Sequence, residues 1–209
     1  MKRLTLAIAV VVVGGCLGPR PDRTRFFTLT PLVATDPDPG HHESADLVLG
    51  LGPVVLPGYL DRTPLVRRTD ANEIAVSAND RWAEPLGYAL ASTLRQNLVV
   101  VLGTPRVVLY PWLPGAHPSL AVEVDVQRFE ATAKGDAELA AEWNVRRVAD
   151  GAVLVARLSR MSEHAEGEGS DAVAAALSRA LGAFSREVAA AVRDEHAAGH
   201  DRVSPRRRG

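Results

Sequence analysis

The chain has 209 residues, 46% of them hydrophobic and 23% charged, with a net charge of −1 and a single cysteine. That length and composition suit one globular domain with a real apolar core. No basic excess gives a nucleic-acid partner electrostatic support, and one cysteine cannot form an intrachain disulfide.

Lys2 and Arg3 precede an apolar run over residues 4–13 that only Thr5 interrupts. A membrane-spanning helix needs about 20 apolar residues, so a run this short predicts the core of a signal peptide. It ends in Val13-Gly14-Gly15 directly before Cys16. That arrangement resembles the bacterial lipobox, although Leu and Ala or Ser are commoner at its first two places. The alternative is an ordinary secretory signal with a chance cysteine. A lipobox implies removal of residues 1–15 and lipid on the Cys16 thiol. Each buried methylene contributes roughly 0.8 kcal/mol, so two or three acyl chains hold where one is marginal. Leu17, in place of an aspartate, resembles the pattern sent onward to the outer membrane. Residues 16–24, rich in chain breakers, form a lipidated tether.

The folded part is expected over residues 25–195. Residues 25–32 carry Phe26-Phe27-Thr28-Leu29-Thr30 and predict a first strand; residues 33–44, with two prolines and His41-His42, predict a loop. Residues 45–56 read as a strand with a bend marked by Gly50 and Gly52, followed by a tight turn through residue 68. Residues 72–78 alternate and predict another strand. Asp80 is placed to cap a helix with Pro85 in its first turn, Leu86, Leu90, Leu94 and Leu98 on one face, and Gly103 at its end.

A strand over residues 106–110 precedes a meander of three. Residues 119–131 show Leu120, Val122, Val124 and Val126, then Phe129, a slip of one near Gln127 that predicts a bulge. Residues 137–148 place Leu139, Ala141, Trp143 and Val145 on one face. Residues 152–161 place Val153, Val155 and Leu158 inward, with Ala149-Asp150-Gly151 as the hairpin turn. After an acidic loop, Val173, Leu177, Leu181, Phe184, Val188 and Val192 form a helical stripe over residues 171–195, and residues 196–209 are expected to be a disordered tail. Three strands, a helix, four strands and a helix predict an α+β domain: a mixed, largely antiparallel sheet with two main helices packed on it.

Chemistry-bearing clusters are sparse. His41, His42 and Glu43 are neighbours in a proline-rich segment, a poor base for a rigid ligand set. Glu163, His164, Glu166 and Glu168 read as a solvated turn. His196 and His200 have i, i+4 spacing, but Gly199 intervenes and no zinc-protease glutamate accompanies them, so they read as solvated residues at a helix end. No phosphate loop, nucleophile elbow or cysteine–histidine pair is present. No catalytic and no metal-ligating residue is assigned. Two clusters mix aromatic and charged residues as partner surfaces do: Tyr59-Leu60-Asp61-Arg62 and Arg81-Trp82-Ala83-Glu84. Packing on the domain's own rim is the competing account of Tyr59 and Trp82.

At these residues the chain resembles the ABC-type transport auxiliary lipoprotein family, the PqiC (YmbA-like) group. The resemblance is carried by Pro57-x-Tyr59-Leu60-Asp61-Arg62, Leu65-Val66-x-Arg68, Asn72 and Arg81-Trp82-Ala83-Glu84-Pro85-Leu86. Val124-x-x-x-Arg128-Phe129-Glu130 and Leu139-x-Ala141-x-Trp143 continue it. Thr63-Pro64 departs from the family's usual Pro-Gln. The resemblance implies an outer-membrane lipoprotein with its body in the periplasm, which docks an MCE-domain transport protein and assembles into a homo-oligomeric ring. It implies no catalysis and no cofactor beyond the covalent lipid on Cys16; ATP, where used, belongs to an inner-membrane partner. Tyr59, Leu60, Asp61, Arg62, Arg81, Trp82 and Glu84 are the expected partner-binding residues. Two other classes remain: a periplasmic lipid or small-molecule binder, and an enzyme with a spatially assembled site.

Overall fold

A computed structural model describes residues 22–33 and 46–203; the expected signal peptide, Cys16, most of the expected tether and His41-His42-Glu43 lie outside these. The sheet is built around one long strand, β6 (Leu120–Ala131). β7 (Ala137–Arg147) pairs with it antiparallel along its length, and β8 (Val153–Glu163) pairs with β7. β2 (Leu49–Val55) lies parallel to residues 120–125 of β6, and β3 (Pro64–Asp70) meets it at Ala131. Outside these, β5 (Val107–Leu109) pairs with β2, β4 (Glu73–Trp82) with β3, and β1 (Arg25–Phe27) with β4. The result is one eight-stranded mixed sheet in an α+β fold.

The side-chain pattern explains the centre of this arrangement. Val122, Val124, Val126, Phe129 and Ala131 of β6 are buried, and the inward set changes phase at a register shift between Val126 and Arg128. This is the expected bulge at Gln127, and it bends the strand so that both halves face one core. Leu139, Ala141, Trp143 and Val145 of β7 are buried as well. β2 bends where its glycines mark it: Gly52 has φ +110°, and pairing with β6 shifts between Leu51 and Val54.

Two helices cover the core. α1 (Leu86–Leu102) buries Leu86, Leu90, Leu94 and Leu98 and ends at Gly103 in the left-handed conformation, with φ 66°. α2 (Ser170–Val203) buries Val173, Leu177, Leu181, Phe184, Val188 and Val192. Between them Ala176, Ala180 and Ala189 are fully buried, so α2 lies close to its neighbours. It packs on β6, β7, β8 and α1, and the Phe184 ring meets Trp143 edge-on at 6.1 Å. A buried side-chain link crosses the seam between the helices, and Arg193 of α2 also donates to Val101 O of α1 at 3.0 Å. Buried Asn97 accepts from Leu32 N–H (2.7 Å) and donates to Ser185 Oγ (3.0 Å), leaving its amide satisfied at both ends. No helix of the described residues is long and apolar enough to cross a membrane.

Several expected boundaries are corrected. Residues 64–68 belong to strand β3, because Leu65 and Val66 bury their side chains while the polar remainder runs along β4. β4 continues to Trp82, so Asp80 is a strand residue and caps nothing on α1; its carboxylate binds Arg25 (2.8 Å) and the Ser170 hydroxyl. Pro85 sits just before α1 rather than within its first turn. β1 is only three residues long. In β8, Val153 (60% exposed) and Leu158 (52%) face outward. A register shift between Val145 and Arg146 turns Val153, while Leu158, three residues from Val155 and opposite Glu142, falls on the outer face by plain alternation; Ser159 and Met161 sit opposite buried Ala141 and Leu139. α2 stays helical through Val203, so residues 196–203 are not a tail.

A Cβ at Gly50 would lie 2.5 Å from Cζ2 of Trp112, whose ring occupies the space beside the strand. Gly50→Ala should therefore lower stability by about 1–3 kcal/mol through overpacking. Gly58→Ala, where nothing stands within 4 Å, should be near neutral. Urea unfolding of both variants reads the difference.

Candidate functional site

The two aromatic and charged clusters, some twenty residues apart in sequence, become neighbours. Pro57 O accepts from the N–H groups of Leu60 (2.9 Å) and Asp61 (3.3 Å), closing a tight turn. Trp82 N–H then donates to Thr63 O at 2.7 Å, and Pro64 lies in register with Arg81. Ala83 N–H bonds Phe27 O at 2.9 Å, so β1 fixes the junction from the other side. The backbone thus sets Thr63 beside Trp82 and Pro64 beside Arg81, so the ends of the two clusters meet.

Burial divides these residues into two groups. Leu60 (2% exposed) and Trp82 (3%) are core side chains; Trp82 lies 6.5 Å from the Phe129 ring, between centroids. They offer no surface to a partner, which corrects their expected role. Apolar side chains of this size gain more from the core than from a rim. Asp61 and Arg62 are exposed, Arg81 and Glu84 half-exposed, and Tyr59 half-buried. The outcome is a polar rim of both signs whose backbone is anchored by two buried residues.

Beneath Tyr59 lies an ion pair that no spacing rule reveals. Glu130 is 1% exposed, and its Oε1 receives Arg68 Nε at 2.6 Å; Arg68 Nη1 also donates to Ala71 O at 3.1 Å. The guanidinium lies 5.9 Å from the Tyr59 ring centroid, and the Tyr59 hydroxyl donates to Gln127 O at 3.4 Å. The hydrogen bond to Glu130 raises the Arg68 pKa further above its ordinary value. Burial first, and the Glu130 charge second, push the Tyr59 phenol up. This is an arrangement for holding shape: the paired charges fasten β3 to the end of β6 across 62 residues of sequence. Arg68 and Glu130 both belong to the sequence pattern noted above, but only the fold shows that they touch.

The acidic loop before α2 is tethered rather than freely solvated. Arg179 of α2 reaches Glu163 (3.6 Å), Glu166 (3.9 Å) and the His164 carbonyl, while His164 Nδ1 stands 2.7 Å from Asp136. Among the described residues no serine, histidine and carboxylate come together as a nucleophile, base and orienting group.

Comparison with known proteins bears on the family and the fold. The family model for the ABC-type transport auxiliary lipoprotein component matches residues 27–189. A Xanthomonas campestris protein assigned to family DUF330 has a crystal structure 19% identical with a TM-score of 0.67, the match covering 79% of this chain and 93% of that one. Another crystal structure, of an uncharacterized protein, is 21% identical with a TM-score of 0.66, covering 81% and 98%. At these identities the likeness bears on the fold alone. No curated protein matches the chain.

Removing one member of a buried ion pair leaves the other charge unmatched, which costs about 3–5 kcal/mol. Arg68→Ala should lower stability by that amount. Arg68→Met combined with Glu130→Leu should recover most of the loss. Denaturant midpoints of the two variants test this.

Proposed function

The chain belongs to the ABC-type transport auxiliary lipoprotein family, and on that premise we propose that it is the docking component of a lipid transport system. In this reading Cys16 carries the lipid, the outer membrane holds it, and the folded body faces the periplasm. The partner is an MCE-domain protein that carries lipid between the two membranes, met by several copies of this chain arranged as a ring. The work is binding: no reaction and no cofactor is assigned to the chain.

The observation that carries this reading is the pairing of the two clusters at the β3–β4 rim. Asp61, Arg62, Arg81 and Glu84 present both signs of charge on a backbone fixed by Leu60 and Trp82. A fixed rim of mixed charge supplies orientation and partner choice, which a docking component needs more than raw apolar area. Tyr59 adds an aromatic edge braced by Arg68.

A periplasmic lipid or small-molecule binder is the second reading, and one feature favours it. The outer face of the sheet has a hollow of about 520 Å³ beside Val55 and Leu158, both half exposed. The same hollow carries Glu123, Asp125 and Glu142, and carboxylates so placed suit an acyl chain poorly.

Two outcomes are expected. Co-expressed with an MCE-domain protein in a two-membrane envelope, the chain should co-purify with it, and combined Arg62→Glu and Arg81→Glu should cut the recovered partner by about tenfold. Equal recovery with the reversed charges removes the rim from the account; no recovery with the wild type removes the docking role. Cys16→Ser should move the protein out of salt-washed membranes, as fractionation would show.

A further inference from the structure

The end of α2 carries an arrangement that the docking role does not use. Because the helix continues through Gly199, His196 and His200 stand one turn apart on one side of it. Asp46, on the approach to β2, faces both. His196 Nε2 lies 3.2 Å from Asp46 Oδ1, and His200 Nε2 lies 2.9 Å from Asp46 Oδ2. The two rings meet edge-on with centroids 4.5 Å apart, and one ligand atom from each of the three residues falls within 4.8 Å of the others. We propose that Asp46, His196 and His200 bind a divalent transition metal of the zinc class, clasping the last turns of α2 to the start of β2.

Three features support the assignment. The first is spacing. Ligands at Zn–N and Zn–O distances of about 2.0–2.2 Å in a tetrahedral array stand about 3.3 Å from one another. The nitrogen–oxygen separations, each to a different oxygen of Asp46, lie near that value, and side-chain movements within the 4.8 Å spread of the three ligand atoms would close the set around an ion. The second is the outer contact of His200. Its Nδ1 lies 3.4 Å from His196 O, the backbone bond that orients a metal-bound imidazole and leaves Nε2 as the donor atom. The third is polarity. The C-terminal end of a helix carries partial negative charge, which favours a cation over its last turns.

Two imidazoles and one carboxylate suit zinc, nickel or copper better than magnesium or calcium, which prefer oxygen alone. Three protein ligands leave a fourth position free. A hollow of about 300 Å³ adjoins the histidines, lined also by Leu120, Leu154, Glu195 and Arg147. Water or a small anionic ligand from that side would complete the coordination. Arg147, the one cation of this lining, is itself paired with Asp150 at 2.8 Å. The histidines' i, i+4 spacing was visible in the sequence. The third ligand, 150 residues from His196, was not.

Zinc titration of the full mature protein in detergent tests the site. The protein carries no affinity histidines, is stripped of metal by a chelator, and is titrated against a chromophoric competitor. One equivalent should bind per chain and raise the thermal midpoint. Asp46→Ala, His196→Ala and His200→Ala should each weaken binding by at least about tenfold, since even outer-sphere losses cost that much. His200 is 60% exposed at its side chain, so its alanine variant should keep the wild-type circular dichroism. A double His41→Ala, His42→Ala variant should bind as the wild type does. Absence of stoichiometric zinc, binding indifferent to His200→Ala, or binding lost only with His41 and His42 would each overturn the proposal.

Discussion

α2 lies along β6, β7 and β8, and the burial of its stripe against that sheet is the constraint on which the domain depends. Val173, Leu177, Leu181, Phe184, Val188 and Val192 enter a core shared with Val122, Phe129, Leu139 and Trp143. A sequence with one cysteine has no covalent staple to offer, so apolar area has to hold the fold. Asn97 and Ser185 set how the two helices meet: an unsatisfied amide in that seam would cost more than its hydrogen bonds contribute, which leaves one favourable arrangement.

The same core decides what the rim does. Phe129, just after the bulge in β6, is packed by Trp82, and Leu60 fills the space beside them. The turn over residues 57–63 and the junction of β4 with α1 are therefore two exits from one buried cluster. The two segments that carry the charged residues meet because their apolar neighbours do. The Arg68–Glu130 pair adds a second fastening below Tyr59, where a buried carboxylate has to find its cation to be tolerated. If the rim docks a partner as proposed, its backbone is already held by these buried residues, which lowers the cost of association.

Much of the fold was legible in the sequence because its central elements have strong periodicity. β6, β7 and both helices follow from alternating valines or from leucines four apart, and even the bulge at Gln127 shows as a slip of one. The errors fell where periodicity is weak or tertiary context decides. β3 is half polar and looked like a turn, since only Leu65 and Val66 reach the core. Asp80 has the chemistry of a cap, but it serves Arg25 and Ser170 instead. In β8 a shift of register turned Val153 outward, while Leu158, an odd three residues from Val155, fell on the outer face by plain alternation. Gly199 suggested a break, yet one glycine costs a helix only about 1 kcal/mol, and the turns around it carry on. The candidate rim was visible as two separate clusters. Their contact, and the inward direction of Leu60 and Trp82, depend on pairings between β3 and β4 that composition does not report.

The account stands on the claim that the β3–β4 rim is where this lipid-tethered body is held by its partners. Photo-crosslinking in intact envelopes tests it most directly, with the reactive side chain at residue 62 or, for comparison, at exposed Leu158 on the outer face of the sheet. The account predicts discrete products from residue 62, identified by mass spectrometry as a second copy of this chain or an MCE-domain protein, and few from residue 158. Products from residue 158 with none from residue 62 would contradict it.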